Sequence, residues 1–122
     1  MRPPLTPARF AAALTTAAEL FEVTPGALRG HYRRAHVAHA RQALMLACYD
    51  GSVASLTDIA GYLERDHTTV LYGIRQARAA AARDPELAAT VAAIIAALQA
   101  AGPLRIVQSD PQESTAIQNV AG

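Results

Sequence analysis

Four consecutive polar residues carry groups that could act on a substrate or recognise a ligand: Asp66-His67-Thr68-Thr69 supply an acid, a base and two hydroxyls. Apolar spacing behind them predicts that they are helical, so neighbouring side chains would point about 100° apart and could not form a catalytic triad. The same groups suit base-pair edges, because a carboxylate accepts from cytosine, an imidazole donates to a purine N7 and a threonine methyl packs on thymine. The simpler interpretation, that Asp66 only caps a helix, stays open.

This segment, named the polar turn (residues 66–69), opens the second helix of a predicted helix-turn-helix. Ser55 or Thr57 starts the first helix, and Glu64-Arg65 connects the two. The apolar positions that predict both helices are Leu56, Ile59, Ala60 and Leu63, then Val70, Ile74, Ala77 and Ala81. In such a unit the start of the second helix enters the major groove, and its N-terminus together with Arg65 favours phosphate.

The rest of the chain also predicts helices, so the fold class is all-α. Alanine supplies 29 of the 122 residues and aromatic residues only 5%, a composition that favours slim helices over sheets. We expect a first helix over 7–22, a short second helix closed by Gly30, a basic loop over 31–36, a third helix ending at Asp50-Gly51 and a sixth opened by Asp84-Pro85. The result is a six-helix bundle over 1–102, followed by a flexible C-terminal tail over 103–122.

Positive charge is concentrated in the middle of the chain. Residues 29–83 contain eight arginines against four acidic residues, whereas one arginine stands against four acidic residues from 84 onward. We call these eight arginines the basic belt. A belt of this kind is typical of a surface that faces phosphate, although a solvated face that binds nothing would have the same composition.

Several classes of protein are not expected. The sequence has no lysine and no Gly-rich loop ending in Lys-Ser or Lys-Thr, so we predict no nucleotide as a partner. The single Cys48 excludes an internal disulfide, and His31, His36 and His39 lack the cysteines or paired carboxylates of a metal site. We therefore predict no enzyme, cofactor or metal. Without a secretory signal or an apolar run long enough to cross a bilayer, we expect no membrane partner and a cytoplasmic, nucleoid-associated protein.

A specific resemblance rests on the hexapeptide Arg65-Asp66-His67-Thr68-Thr69-Val70, with Ser55-Leu56 and Ile59 ahead of it. It resembles the signature of the C-terminal DNA-binding domain (domain IV) of the bacterial replication initiator DnaA. The similarity extends over roughly residues 17–99. It implies a Trp-repressor-like helix-turn-helix bundle that binds a short asymmetric box in double-stranded DNA as a single domain.

The resemblance also implies roles for individual residues. Asp66, His67, Thr68 and Thr69 match the major-groove base readers, and Arg33 matches an arginine that enters the adjacent minor groove. Phosphate contacts are expected from Arg41 and Gln42 on the third helix, joined by Arg34, Arg65 and Arg75 of the basic belt.

The sequence departs from the family pattern at several places that bear on function. Tyr49, Ala35 and His39 stand at basic positions of the family, which predicts weaker DNA binding and a shallower salt dependence. Leu63-Glu64 stand where the family has one or two glycines, which predicts a differently set turn. The family's ATPase domain has no counterpart in these residues. We therefore expect a stand-alone DNA-binding protein that recognises DnaA-box-like sites and regulates replication initiation or transcription.

Two alternatives remain open at the level of sequence. One is a protein-interaction module that binds the replication initiator or other replication proteins through its last helix or its tail. The other is non-specific nucleoid binding, which would ignore sequence and weaken steeply with salt.

Overall fold

The structure, a computed structural model, describes residues 1–102, and all regular secondary structure within them is α-helical. The helices are α1 (Pro7–Phe21), α2 (Pro25–Arg29), α3 (Ala35–Gly51), α4 (Leu56–Leu63), α5 (His67–Arg83) and α6 (Pro85–Ala100). The predicted all-α fold with six helices is therefore confirmed. The predicted tail, 103–122, lies outside the described residues.

Side-chain caps fix where most of the helices begin. The capping residue accepts a hydrogen bond from a backbone N–H two or three positions along the chain, which satisfies a donor that has no partner inside the helix. The residues that do this are Thr6, Thr24, Ser55, Asp66 and Asp84. In α1, α2 and α6 a proline follows in the first turn, where its missing N–H costs nothing.

Two helices end on a residue in the left-handed backbone conformation. Glu22 after α1 has φ 58° and ψ 46°, and Glu64 after α4 has φ 56° and ψ 49°. Each end is a Schellman motif: the N–H of Val23 donates to the Ala18 carbonyl at 2.9 Å, and the N–H of Arg65 donates to the Ala60 carbonyl at 2.9 Å. Glutamate thus occupies the position that glycine usually takes, including the one within the helix-turn-helix.

Helix α3 runs through the centre of the bundle, with α1, α5 and α6 packed around it. Ten of its 17 residues are buried, which explains why its apolar side chains are not confined to one face. Gly73 allows α5 to lie close against α3, because a Cβ at that position would overlap the sulfur of the buried Met45. The largest fully buried side chains include Leu28, Leu44, Met45, Ile59, Leu63, Ile94 and Leu98.

The basic loop is shorter than predicted. Helix α3 begins at Ala35, so the loop covers residues 31–34 and His36 lies in the first helical turn. That turn is held against the end of α1, because the His36 Nε2–H donates to the Phe21 carbonyl at 2.6 Å and the two rings meet edge to face. Sequence spacing could not reveal this contact between distant residues.

Within residues 1–102, no helix combines the length and the apolarity needed to cross a lipid bilayer.

Candidate nucleic-acid interface

The polar turn is accessible to a ligand. Asp66, His67, Thr68 and Thr69 are all exposed, and the side chains of His67 and Asp66 are 60% and 64% exposed. All four side chains at the start of α5 are therefore accessible from solvent.

Asp66 holds the polar turn in one arrangement. Its carboxylate accepts from the Thr68 backbone N–H at 3.5 Å and from the Thr68 hydroxyl at 2.9 Å, while His67 Nδ1 lies 3.3 Å from Oδ1. The Thr68 hydroxyl is the largest cause of a lowered pKa of Asp66. The ionised carboxylate has further lone pairs, so its role as a cap is compatible with accepting from a base.

The loop before α3 presents two free cations. Arg33 and Arg34 are exposed, and within residues 1–102 neither guanidinium has a hydrogen-bond or ion-pair partner. The same is true of Arg75, two turns along α5 from the polar turn. These three guanidiniums are available to phosphates or to a narrow minor groove.

Arg41 is placed differently from the prediction. It is only 8% exposed, and its guanidinium donates to the carbonyls of Leu28 at 2.8 Å, Ala27 at 3.1 Å, Gly30 at 3.2 Å and Tyr32 at 3.3 Å. Burial, followed by the charge of Arg65, lowers the pKa of Arg41. The Nε and Nη2 donors of Arg41 are therefore used inside the protein, and only its Nη1 group is left for the predicted phosphate contact, which stays a prediction.

The physical reason lies in α2. This helix has only five residues, so nearly all of its carbonyls lack a partner within it. A guanidinium has five donors and suits the negative end of a helix dipole. The sequence does contain a signal for this role of Arg41. Gly30 closes a very short helix that has no polar side chain to satisfy its carbonyl oxygens.

Arg65 is also engaged in the protein. Its Nη1 donates to the carbonyls of Arg29 at 3.2 Å and Leu63 at 3.0 Å, and its Nη2 donates to the Gly30 carbonyl. The side chain is half-buried. Only its remaining N–H groups could reach a phosphate, so Arg65 has a structural task that sequence reasoning missed.

Gln42 borders a cavity that it shares with the polar turn. Half-buried on α3, it lines a cavity of about 200 Å³ together with Thr69 and Tyr72 of α5. Gln42 and the last residue of the polar turn thus border the same cavity. Elsewhere in the basic belt, Arg78 forms a bidentate ion pair with Asp50 at 3.0 and 3.1 Å, which removes it from the free cations.

Residues 12–77, more than half of the chain, match the family described as Bacterial dnaA protein helix-turn-helix. The chain belongs to this family. The match runs from α1 into α5 and contains both the loop at 31–34 and the polar turn, so the resemblance and the helix-turn-helix are confirmed. The family consists of helix-turn-helix domains that bind double-stranded DNA, not of catalytic domains. Residues 78–99, which we also expected to resemble it, lie outside the matched range.

Proposed function

We propose that this protein binds double-stranded DNA at DnaA-box-like sites and, by occupying or sharing such sites, regulates replication initiation or nearby transcription. In this proposal Asp66, His67, Thr68 and Thr69 read base edges in the major groove. Arg33 enters the adjacent minor groove. Arg34, Gln42 and Arg75 contact phosphates and hold the protein in register.

One observation carries the proposal: the two exposed segments lie next to each other. Gly30, directly before the loop that holds Arg33, accepts a hydrogen bond from Arg65, directly before Asp66. A polar helix start beside a pair of exposed arginines suits adjoining grooves of one duplex. The net charge of the belt supports such binding without specifying a sequence.

Specific recognition is tested with two labelled duplexes of equal length and composition, one carrying a DnaA box and one scrambled. We expect tighter binding to the box by fluorescence anisotropy at fixed salt. His67→Ala should cost about 1–3 kcal/mol on the box and little on the scrambled duplex. Equal affinity of the native protein for both duplexes would favour non-specific binding instead.

A matched pair of variants separates base reading from general surface effects. Thr69→Val and Thr15→Val each exchange a hydroxyl for a methyl at an exposed helical position. Only Thr69→Val should change the preference among boxes altered by one base pair, because Thr15 lies on α1, outside the proposed interface. Equal effects of the two variants would contradict the assignment of Thr69.

The regulatory part needs a separate measurement. On a duplex with two adjacent boxes, footprinting is carried out with the replication initiator already bound while this protein is titrated in. Displacement of the initiator, or joint occupancy of the two boxes, is expected. Undisturbed initiator footprints at saturating concentrations of this protein would refute a regulatory role at shared sites.

A further inference from the structure

The end of α2 is a meeting point of two guanidiniums. Five main-chain oxygens there accept from Arg41 or Arg65, and we call them the carbonyl cluster. They belong to Ala27, Leu28, Arg29, Gly30 and Tyr32. The Gly30 oxygen accepts from both arginines, which brings two like charges to one atom.

The two arginines reach the cluster from different parts of the fold. Arg41 comes from the buried face of α3, and Arg65 from the connection between α4 and α5. Arg65 is fixed at both ends: its backbone N–H closes the Schellman motif on Ala60, and its guanidinium joins Leu63 to the end of α2. Its side chain is thus the bond between the helix-turn-helix and the segment leading into the loop at 31–34.

We propose that Arg65 is a positioning residue that couples the two DNA-reading segments, so that minor-groove recognition by Arg33 depends on Arg65. This inference rests on the proposed function. Arg65 acts here through main-chain carbonyls on both sides of the interface, rather than as one more phosphate contact. Its specific effect is to fix the distance between the loop and the start of α5.

The fold itself does not depend on this link. Without Arg65, the buried Arg41 still donates to four members of the carbonyl cluster, so α2 stays docked on α3. What is lost is the link, through the Arg65 guanidinium, between the end of α2 and Leu63 within the helix-turn-helix. A variant at residue 65 should therefore fold and show a defect in recognition.

The chemistry of the guanidinium supplies a discriminating variant. Arg65→Lys keeps the positive charge, but a single ammonium on a flexible stem cannot span the carbonyls of Arg29, Gly30 and Leu63 in the same way. If positioning is the role, Arg65→Lys should weaken box binding about as much as Arg65→Gln, each by about tenfold. Arg83→Lys at the far end of α5 is the matched control, because its exposed guanidinium has no partner within residues 1–102 and lies outside the proposed interface; it should bind within about twofold of the native protein.

A double-mutant cycle between Arg65 and Arg33 tests the coupling. Arg33→Ala should weaken binding to the box about tenfold in the native background and less than about twofold in Arg65→Lys. The slope of log affinity against log salt should be the same for Arg65→Lys and the native protein. Additive effects would overturn the inference, as would full retention of affinity by Arg65→Lys. A slope reduced by about 0.9 in Arg65→Gln alone would instead identify a direct phosphate contact.

A measurement without DNA separates this inference from the proposed function. A spin label attached to His31→Cys reports its proximity to the amides of residues 66–69 through paramagnetic broadening, while the buried Cys48 stays unlabelled. In Arg65→Lys the broadening should decrease with no change in melting temperature. Unchanged broadening would overturn the positioning role, whereas failure of the native protein to prefer the box would overturn only the proposed function.

Discussion

Replacing Glu64 by glycine should stabilise the protein, because Glu64 has a backbone conformation that L-residues disfavour. Its φ of 56° and ψ of 49° lie in the left-handed region, which costs a side-chain-bearing residue about 1–2 kcal/mol. Glycine avoids this cost but loses about 0.5–1 kcal/mol of extra chain entropy on folding. The net gain for Glu64→Gly is therefore about 0.5–1 kcal/mol, or about 3–6 °C in Tm.

Two control variants separate backbone relief from charge. Glu22 has the same conformation, φ 58°, at the end of α1, a helix that supplies none of the proposed DNA contacts. Glu22→Gly should give an equal gain in stability and leave DNA binding unchanged. Glu64→Gln removes the charge but keeps the backbone cost, so it should leave stability nearly unaltered.

DNA binding should respond to the charge at residue 64 alone. Loss of this carboxylate beside Arg65 and the polar turn should raise duplex affinity about two- to fivefold at low salt, in Glu64→Gln as in Glu64→Gly. The gain should shrink as salt shortens the screening length from about 10 Å at 0.1 M to about 3 Å at 1 M. The assays are urea unfolding and anisotropy. Equal stability of Glu64→Gly and Glu64→Gln would refute the backbone argument, and an affinity gain in Glu22→Gly would refute the local charge argument.

Three further predictions concern single groups. Arg41→Met should lower the free energy of unfolding by about 2–4 kcal/mol, because it leaves oxygens of the carbonyl cluster without a donor. Gln42→Ala is the control. A loss below about 0.5 kcal/mol for Arg41→Met in urea unfolding would contradict the prediction. The lowered pKa of Asp66 means that its stabilising effect is present above the unfolded pKa of about 3.9 and disappears as the pH falls through the folded pKa. Asp66→Asn should thus lose less stability with acid when unfolding is measured between pH 7 and pH 2. Parallel curves for the variant and the native protein would contradict this. Burial raises the pKa of the Cys48 thiol to about 12, so a thiol reagent at pH 8 should label it only after denaturation, and prompt labelling of the native protein would show that the thiol is accessible.

Local signals were sufficient to predict the helices. Thr6-Pro7, Thr24-Pro25 and Asp84-Pro85 each combine a capping side chain with a proline, and the structure begins a helix at each proline. The start of α3 was misplaced because Arg34 provides no side-chain cap. That boundary depends on the contact of His36 with Phe21, which lies 15 residues away in the chain and has no local signature.

The candidate site was only partly predictable for a related reason. Exposure of the polar turn follows from its place at the start of an amphipathic helix, and residue type and spacing indicate that much. An arginine in a basic stretch, however, has the same appearance in sequence whether it faces solvent or the end of another helix. The sequence alone therefore assigns Arg41 and Arg65 to phosphates, because the unpaired carbonyls at the end of α2 become apparent only once the helices are packed.

Asp84 connects the C-terminal end of α5, the helix that begins with the polar turn, to α6. This one residue ends α5 and caps α6, so the two helices meet with no intervening linker. Because α5 has 17 residues, the junction lies about 25 Å from the polar turn. The start of α6 is therefore held one helix length from the polar turn, and under the proposed function a reporter placed there would lie at that distance from the duplex.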